Sequence, residues 1–499
     1  MRDILKLAAK HTIIFSIGDV AQKAISFILL PVFMRCLSPE DYGILSMLGI
    51  LSMAFNGLVM QGMPTAAFRA YSYDYSKNES ERKDAIYTAY SYLLLSSLIT
   101  YSALFVTASF WSHLLFKQGD FTGFVRLVFV TEFLNCSNII PLVMLRARLM
   151  TTWFALISLA RVFLTMFLSI WFVVYLDMKI YGVLLANLIV AGIVFLFVPI
   201  IPILIHKGFS LHISLDKLKG MLAFGWPIVP GIFAAWILSA TDRYFLEHFS
   251  TRTELGLYSV GFKLASILTI VFIEPFRKAW PAIFFPKAQE GDAPQVFSQF
   301  ATYFLFVGAA GSLAVICSTD HLIKIMGPKE YWDAYMVVPL LVIGLLLHGF
   351  QASINLGMFI KNKMKYAPII VIVAAVSNIV FCAILVPPYG MMGASVATML
   401  AYIIQLVMSF MINQRIYPIP FEYRRMAHMT GIFILVVILN YLIRIDSLWW
   451  SLPVKAGLFV LFFGLLLITG FFTRREIDFI REVRLKVSSV IAPSTLRER

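Results

Sequence analysis

The feature that most constrains this fold is a long succession of apolar stretches, each about 20 residues in length. A helix of about 20 apolar residues crosses the ~30 Å hydrocarbon core of a bilayer. We predict fourteen membrane spans, at 11–34, 43–63, 85–108, 122–145, 153–175, 180–205, 222–246, 256–280, 300–318, 334–360, 368–386, 391–414, 429–445 and 453–472. The segments between them are too short for a folded domain. The predicted fold class is therefore an all-α polytopic membrane protein.

The composition supports this interpretation. Of the 499 residues, 60% are hydrophobic and 14% are charged, whereas soluble domains are about 45–50% apolar and about 25% charged. So little charge cannot cover a soluble globule of this size. This excludes an ordinary soluble enzyme, a disordered chain and a disulfide-rich secreted module.

The net charge of +14 would indicate nucleic-acid binding in a soluble protein, but its distribution gives another explanation. With the N-terminus placed in the cytoplasm, 28 of the 41 Lys and Arg residues belong to the cytoplasmic side, 7 to the external side and 6 to span interiors, where Arg277, Lys278 and Arg444 at span ends are counted with the adjoining segment. Positive residues accumulate on the cytoplasmic side of membrane proteins. We therefore predict that both termini are cytoplasmic and that no nucleic acid is bound.

Two segment pairs indicate an internal repeat. The turn that leads into Gly43 resembles the one that leads into Gly256, a shift of 213 residues, and Gly182 corresponds to Gly393, a shift of 211. An even number of spans in each copy predicts a parallel repeat. The predicted organisation is an N-lobe at 1–205 (spans 1–6), a cytoplasmic linker at 206–221, a C-lobe at 222–414 (spans 7–12), spans 13–14 at 429–472 and a basic cytoplasmic tail at 473–499.

Ionisable side chains inside spans are costly, roughly 2.5–3.5 kcal/mol each, so they tend to face a partner or water. Lys23, Arg161 and Lys263 lie deep in their spans, while Arg126 and Arg243 lie near the external ends and could extend to the surface. The polar candidates are Asp19, Glu132, Asn135, Asn138, Asp242, Ser259, Ser266, His348 and Gln351. They either line a hydrated cavity between the lobes or form packing contacts between helices. A basic cavity would suit an anionic cargo, because Arg and Lys bind phosphate well.

Motifs of catalysis are absent from the sequence. It has no Gly-rich phosphate loop with Lys-Ser/Thr, no His-Glu-x-x-His and no nucleophile elbow. We expect no catalytic residue, metal ion or cofactor. Active transport would then be coupled to an H⁺ or Na⁺ gradient or to the membrane potential, and Pro227 and Pro230 in span seven mark a plausible hinge.

Three segments carry a family resemblance. They are Leu30-Pro31 through Leu37-Ser-Pro-Glu-Asp-Tyr-Gly43, Thr241-Asp-Arg-Tyr-Phe245 leading to Leu255-Gly-Leu-Tyr-Ser-Val260, and Asn378 to Leu385 with Val386-Pro-Pro-Tyr-Gly390 and Gly393-Ala-Ser-Val-Ala-Thr398. In order and spacing, the chain resembles the O-antigen and capsule repeat-unit flippases (Wzx type) of the multidrug/oligosaccharidyl-lipid/polysaccharide exporter superfamily.

The resemblance implies a V-shaped pair of pseudo-symmetric six-helix lobes plus two C-terminal helices. It also implies movement of an undecaprenyl-diphosphate-linked oligosaccharide across the bacterial inner membrane, for O-antigen of lipopolysaccharide, capsule or a related polysaccharide. Membrane lipids and other polysaccharide-assembly membrane proteins would be partners. By position, Lys23, Arg161 and Lys263 are the main candidates for binding the diphosphate. Arg126, Arg243 and Arg69 are further candidates, and Arg69 lies where the family often has a basic residue.

Other functions remain open at this point. A cation-coupled multidrug exporter of the same superfamily usually has twelve spans and a more acidic or aromatic cavity. A membrane-embedded polysaccharide polymerase or ligase would need a large external loop with catalytic Arg or His. A channel fits less well with a repeat and a hinge.

Overall fold

In a computed structural model, which describes residues 27–198, 200–201, 211–443, 448–473 and 476, all regular structure is helical. The helices are α1 (Phe27–Cys36), α2 (Pro39–Met60), α3 (Glu79–Val106), α4 (Thr122–Ala147), α5 (Thr151–Tyr175), α6 (Lys179–Phe197), α7 (Leu215–Phe249), α8 (Arg252–Pro281), α9 (Ala293–Met326), α10 (Lys329–Ile360), α11 and α12 (the two arms of Tyr366–Ile416), α13 (Tyr423–Leu442) and α14 (Leu448–Ile468). Short helices span Met63–Arg69 and Ala108–Leu115, and helix α8 continues to Lys287.

The all-α polytopic fold class is confirmed. In the described part of the chain, twelve helices are long and apolar enough to cross a membrane, with Tyr366–Ile416 counted once. Helix α1 is shorter, and most of the predicted first span, 11–34, lies outside the described residues. The number fourteen therefore stays a prediction.

Helices α11 and α12 meet at Gly390. Its φ of 50° is left-handed, a conformation that favours glycine. A side chain there would also collide with the carboxylate of Glu254, whose Oε2 accepts a hydrogen bond from the backbone N–H of Met391 at 2.8 Å. Glu254 thus fixes the turn between two arms that correspond to the predicted spans 368–386 and 391–414.

Local sequence explains where several helices begin. At α2, Ser38 and Asp41 form a reciprocal capping box, with both hydrogen bonds 3.1 Å long, and Pro39 follows the cap. At α8, the Thr251 hydroxyl accepts from the backbone N–H of Glu254. These polar caps lie in the turns between successive apolar stretches.

Three segments differ from the predicted boundaries. Helix α9 continues to Met326 and a 3₁₀ segment begins at Lys329, so the external loop expected at 319–333 is a turn of only a few residues. The described part of the predicted linker 206–221 becomes helical at Leu215 and joins α7. Helix α7 changes to 3₁₀ geometry over Trp226–Ile228, where Pro227 removes a backbone donor.

Helices α2 and α8 cross in contact between the N-lobe (α1–α6) and the C-lobe (α7–α12). A Cβ on Gly43 would lie 2.8 Å from the carbonyl oxygen of Arg252, and one on Gly256 would lie 1.8 Å from that of Pro39. The Oγ atoms of Ser46 and Ser259 are 2.8 Å apart. Both relationships obey the 213-residue shift, as a pseudo-two-fold axis between equivalent helices requires.

The C-terminal helices α13 and α14 pack on each other and on α9. Leu458, Phe462 and Leu466 form the buried stripe of α14 at four-residue intervals. Arg425, at the start of α13, forms a 3.0 Å ion pair with Glu476 beyond α14. These two helices therefore extend the C-lobe on one side.

Candidate functional site

A cavity of about 610 Å³ lies where the two lobes meet. Its N-lobe wall comes from α2, α4, α5 and α6, with Phe33 of α1, and its C-lobe wall comes from α7 and α8. Ser46 and Ser259, which join α2 to α8, line it directly. The contact between α2 and α8 therefore bounds the cavity toward the predicted external end.

In the described part of the chain, three cationic side chains line this cavity: Arg161 of α5, Arg243 of α7 and Lys263 of α8. Each has neutral contacts. Arg161 Nη2 donates to Asn135 Oδ1 at 2.7 Å. Arg243 Nη1 donates to a carbonyl of its own helix, and its guanidinium lies 4.8 Å from the ring centroid of Phe262. Lys263 Nζ donates to the hydroxyl of Tyr42 at 3.3 Å.

Within the described residues, no carboxylate lies within ion-pair distance of these three cations. Among the residues that the structure describes, the single carboxylate that lines the cavity is Glu132, which is 8% exposed. It accepts hydrogen bonds from Ser52 Oγ at 2.6 Å, Asn56 Nδ2 at 3.0 Å and Asn135 Nδ2 at 3.4 Å. The lining thus carries more positive than negative charge.

Glu132, Asn135 and Arg161 also line a second chamber of about 350 Å³. This chamber lies wholly within the N-lobe, between α2, α4, α5 and α6. Ser158, Asn56 and Arg146 add polar groups to it, and the remaining lining is apolar. The three shared side chains therefore lie between the two spaces. We refer to these three side chains as the septum.

The structure places some predicted residues on the central cavity and others elsewhere. Those that line the cavity are Glu132, Asn135, Arg161, Arg243, Ser259, Lys263 and Ser266. Those placed outside its lining are Arg69, Arg126, Asn138, Asp242, His348 and Gln351. Asp19 and Lys23 lie outside the described residues.

Two of the excluded basic residues lie on the surface. Arg69 pairs with Asp74 at 3.4 Å near the predicted cytoplasmic end. Arg126 is exposed, with its guanidinium 5.2 Å from the ring centroid of Phe105. A charge near a span end can reach the surface without a cavity, so position in the sequence alone could not distinguish Arg126 from Arg243.

The excluded polar residues are packing contacts within a lobe. Asp242 is 1% exposed and accepts hydrogen bonds from the hydroxyl of Tyr258 and the backbone N–H of Arg243. His348 Nδ1 lies 3.0 Å from Gln405 Oε1, and Gln351 Nε2 donates to the hydroxyl of Ser409. Asn138 Nδ2 lies 3.5 Å from a backbone carbonyl of α6. Contacts of this kind satisfy polar groups between helices.

Sequence analysis missed several polar lining residues. Ser52 of α2, Asn187 of α6 and Tyr42 line the cavity, and Asn56, one turn after Ser52, lines the chamber. Ser52 and Asn56 both donate hydrogen bonds to Glu132. The four-residue spacing of Ser52 and Asn56 is a helical signal that could have found them. Within the described residues, no group of three or more His, Cys, Asp or Glu side chains could hold a metal ion.

Comparison with known proteins identifies the family. Residues 32–291, more than half of the chain, match the family described as Polysaccharide biosynthesis protein. The chain belongs to this family. A curated relative is Lsg locus putative protein 1 of Haemophilus influenzae, which is 24% identical over 400 residues, covering 77% of this chain and 94% of the relative. Another is the probable low-salt glycan biosynthesis flippase Agl15 of Haloferax volcanii, 21% identical over 40% of this chain and 42% of its own length.

Solved structures with the same fold include transporters. The lipid II flippase MurJ, in an inward closed conformation, superposes with a TM-score of 0.69 at 13% identity, over 91% of this chain and 98% of that protein. An inward-facing MATE-family multidrug resistance transporter of the MOP superfamily gives 0.61 at 14% identity, over 80% and 95%. At this identity the likeness establishes the fold alone. This member of the polysaccharide biosynthesis family thus has the fold of MOP-superfamily transporters, and the resemblance seen in the sequence is confirmed.

Proposed function

We propose that this protein moves an undecaprenyl-diphosphate-linked oligosaccharide repeat unit across the bacterial inner membrane by alternating access. The repeat unit would serve O-antigen, capsule or a related surface polysaccharide. The observation that carries the proposal is the placement of Arg161, Arg243 and Lys263 around one cavity between the lobes of a polysaccharide-family transporter fold. No catalytic step is proposed.

The chemistry of the cavity suits a diphosphate head group. Arginine binds phosphate oxygens in a bidentate manner and lysine binds them as a point charge. All three cations have neutral hydrogen-bond partners, and no carboxylate of the described chain lies within ion-pair distance of them. Lys23, a further candidate, lies outside the described residues.

We propose that movement of the head group is driven by an H⁺ or Na⁺ gradient or by the membrane potential, since the sequence contains no nucleotide-binding loop. Both termini would be cytoplasmic, in agreement with the excess of Lys and Arg in those segments. The substrate and membrane lipids would be direct partners, and other polysaccharide-assembly membrane proteins would act beside it.

The decisive experiment is deletion of the gene followed by analysis of lipid-linked intermediates. We expect a diphosphate-linked oligosaccharide to accumulate on the cytoplasmic side, and surface polysaccharide to be lost. Complementation with the Lys263→Ala variant, expressed at the wild-type level, should fail to restore surface polysaccharide. Unchanged lipid-linked glycans together with increased drug sensitivity would overturn the proposal and favour the multidrug exporter.

A further inference from the structure

We propose that the septum, together with the N-lobe chamber behind it, is a subsite for the hydroxyl groups of the sugar nearest the diphosphate. Arg243 and Lys263, on the opposite wall, would bind the diphosphate itself. The inference rests on the proposed function and assigns sugar binding to the N-lobe and diphosphate binding to the C-lobe. The ligand class of the subsite is a polyhydroxylated sugar ring.

The septum is a hydrogen-bonded array rather than an ion pair. Arg161 of α5 donates to Asn135 of α4, and the amide of Asn135 donates in turn to Glu132. Ser52 and Asn56 of α2 donate to the two carboxylate oxygens of Glu132. A carboxylate offers about four lone-pair sites and a guanidinium five N–H donors. Both groups therefore keep capacity for another partner at the cavity surface.

This mixture of groups suits hydroxyls better than phosphate. A sugar hydroxyl donates one hydrogen bond and accepts others, so it can bond to a carboxylate, an amide and a guanidinium within one array. A phosphate oxygen beside Glu132 would meet a like charge in a poorly solvated site, which is unfavourable. The carboxylate thus directs the phosphates toward the opposite wall, whose described lining contains Arg243 and Lys263 and no carboxylate.

That second wall is formed by α7 and α8. Arg243 Nη1 bonds to the carbonyl of Ser239, and Lys263 Nζ bonds to the hydroxyl of Tyr42. Arg243 Nε is buried and has no hydrogen-bond partner within the described residues. Because the hydrogen-bond partners of Arg243 and Lys263 are neutral, these cations can bind a diphosphate without first breaking an ion pair.

The chamber has a suitable size and lining for a sugar ring. Its volume of about 350 Å³ lies within the range of small-molecule sites, roughly 300–1,000 Å³. Asn56, Ser158, Arg146 and the septum contribute its polar groups, and Ile139, Leu142 and other apolar side chains form most of the rest. A sugar ring has the same division, with hydroxyls at its edge and C–H groups on its faces.

The test is equilibrium binding to the purified full-length protein with defined probes. The probes are farnesyl diphosphate and a set in which the same diphosphate carries glucose, galactose or N-acetylglucosamine. We expect wild type to bind at least one sugar-bearing probe about tenfold more tightly than farnesyl diphosphate, since two or three added hydrogen bonds supply that factor. Glu132→Gln should remove this preference and leave the affinity for farnesyl diphosphate within about twofold.

A second variant tests the chamber rather than the septum. Ser158→Phe would fill the chamber and should also remove the preference for sugar. Its matched control is Leu156→Phe on the same helix, where the side chain is exposed, and Asp320→Asn on α9 is the control for loss of a carboxylate outside both spaces. Both controls should behave as wild type.

The outcomes separate this inference from the proposed function. Equal binding of all probes by wild type, or equal loss for both probe types in Glu132→Gln, would overturn the sugar subsite and leave the diphosphate site standing. Failure of wild type to bind any of the probes would overturn the proposed function, and this inference with it.

Discussion

At the scale of single residues, the cavity is defined by cations that have neutral partners. Insertion of a Lys or Arg at the centre of a span costs roughly 2.5–3.5 kcal/mol. Arg161, Arg243 and Lys263 are placed where a cavity between the lobes can supply water or an anion instead of hydrocarbon. Each is also supported by a nearby side chain or carbonyl that fixes its position without neutralising it.

Removal of one of these charges should weaken transport. We expect Lys263→Ala or Arg243→Ala to lower the affinity for the diphosphate head group by about 10- to 100-fold, since a hydrogen bond to a charged group contributes about 1.5–3 kcal/mol. The measurement is surface polysaccharide at equal protein level. Arg126→Ala, which removes a cation outside the cavity lining, is the control and should keep wild-type export. Full activity in both cavity variants would exclude these two cations as binding groups.

At the scale of helices, the crossing of α2 and α8 depends on two glycines. The backbones approach so closely that a Cβ on Gly256 would lie 1.8 Å from a carbonyl oxygen. Small residues allow this kind of approach between membrane helices. The equivalent helix of each lobe contributes the equivalent glycine, so the contact is self-complementary in the manner of a two-fold interface.

Substitution at this crossing should destabilise the protein. We expect Gly256→Ala to cost about 1–3 kcal/mol, because overpacking forces backbones apart, and to lower the melting temperature in detergent. Gly457→Ala on α14 is the matched control, since a Cβ there meets nothing within 4 Å. Equal melting temperatures for the two variants would contradict the close contact.

A cross-link at the same crossing should stop transport. Oγ atoms of Ser46 and Ser259 are 2.8 Å apart, so the double variant Ser46→Cys/Ser259→Cys should form a disulfide under oxidation. Because alternating access requires the lobes to separate at this end, we expect export to stop and to recover on reduction. The two single variants are controls. Transport by fully cross-linked protein would show that this crossing does not open.

At the scale of the whole molecule, the helices of the described residues form two lobes, α1–α6 and α7–α12, and helices α13 and α14 attach to one side. Helices α13 and α14 pack on α9 through a stripe that includes Phe462 and Leu466. The ion pair between Arg425 and Glu476 joins the start of α13 to the segment that follows α14. Lipid tails are as apolar as the face that these helices cover, so the lobes do not depend on them for solvation.

Truncation tests this arrangement. We expect removal of 429–499 to leave a core that remains monodisperse in detergent and keeps its melting temperature within a few degrees, yet transports its lipid-linked substrate poorly. Size-exclusion chromatography and surface polysaccharide are the two measurements. The control is removal of 477–499 alone, which keeps both helices and Glu476. Intact transport in the longer truncation would mean that the two helices are accessory.

Much of the fold was predictable because apolar length and helix-ending residues act locally. Gly390 and the Ser38–Asp41 capping box separate helices in the sequence as they do in the structure. Less of the site was predictable. Arg243 and Asp242 are neighbours in the sequence, yet one faces the cavity and the other is buried against Tyr258. Which neighbour faces the cavity is set by the rotation of α7 against α8 and α12.

The sequence by itself determined the class of protein, the position of most spans and the 213-residue relation between the lobes. These follow from hydrophobic length and from motifs that repeat along the chain. Only the tertiary structure decided that Ser52 and Asn56 hold Glu132, that Arg161 joins this array, and that Arg243 and Lys263 lie on the opposite wall. These contacts join helices far apart in sequence, and helix packing, which no local pattern encodes, sets their distances.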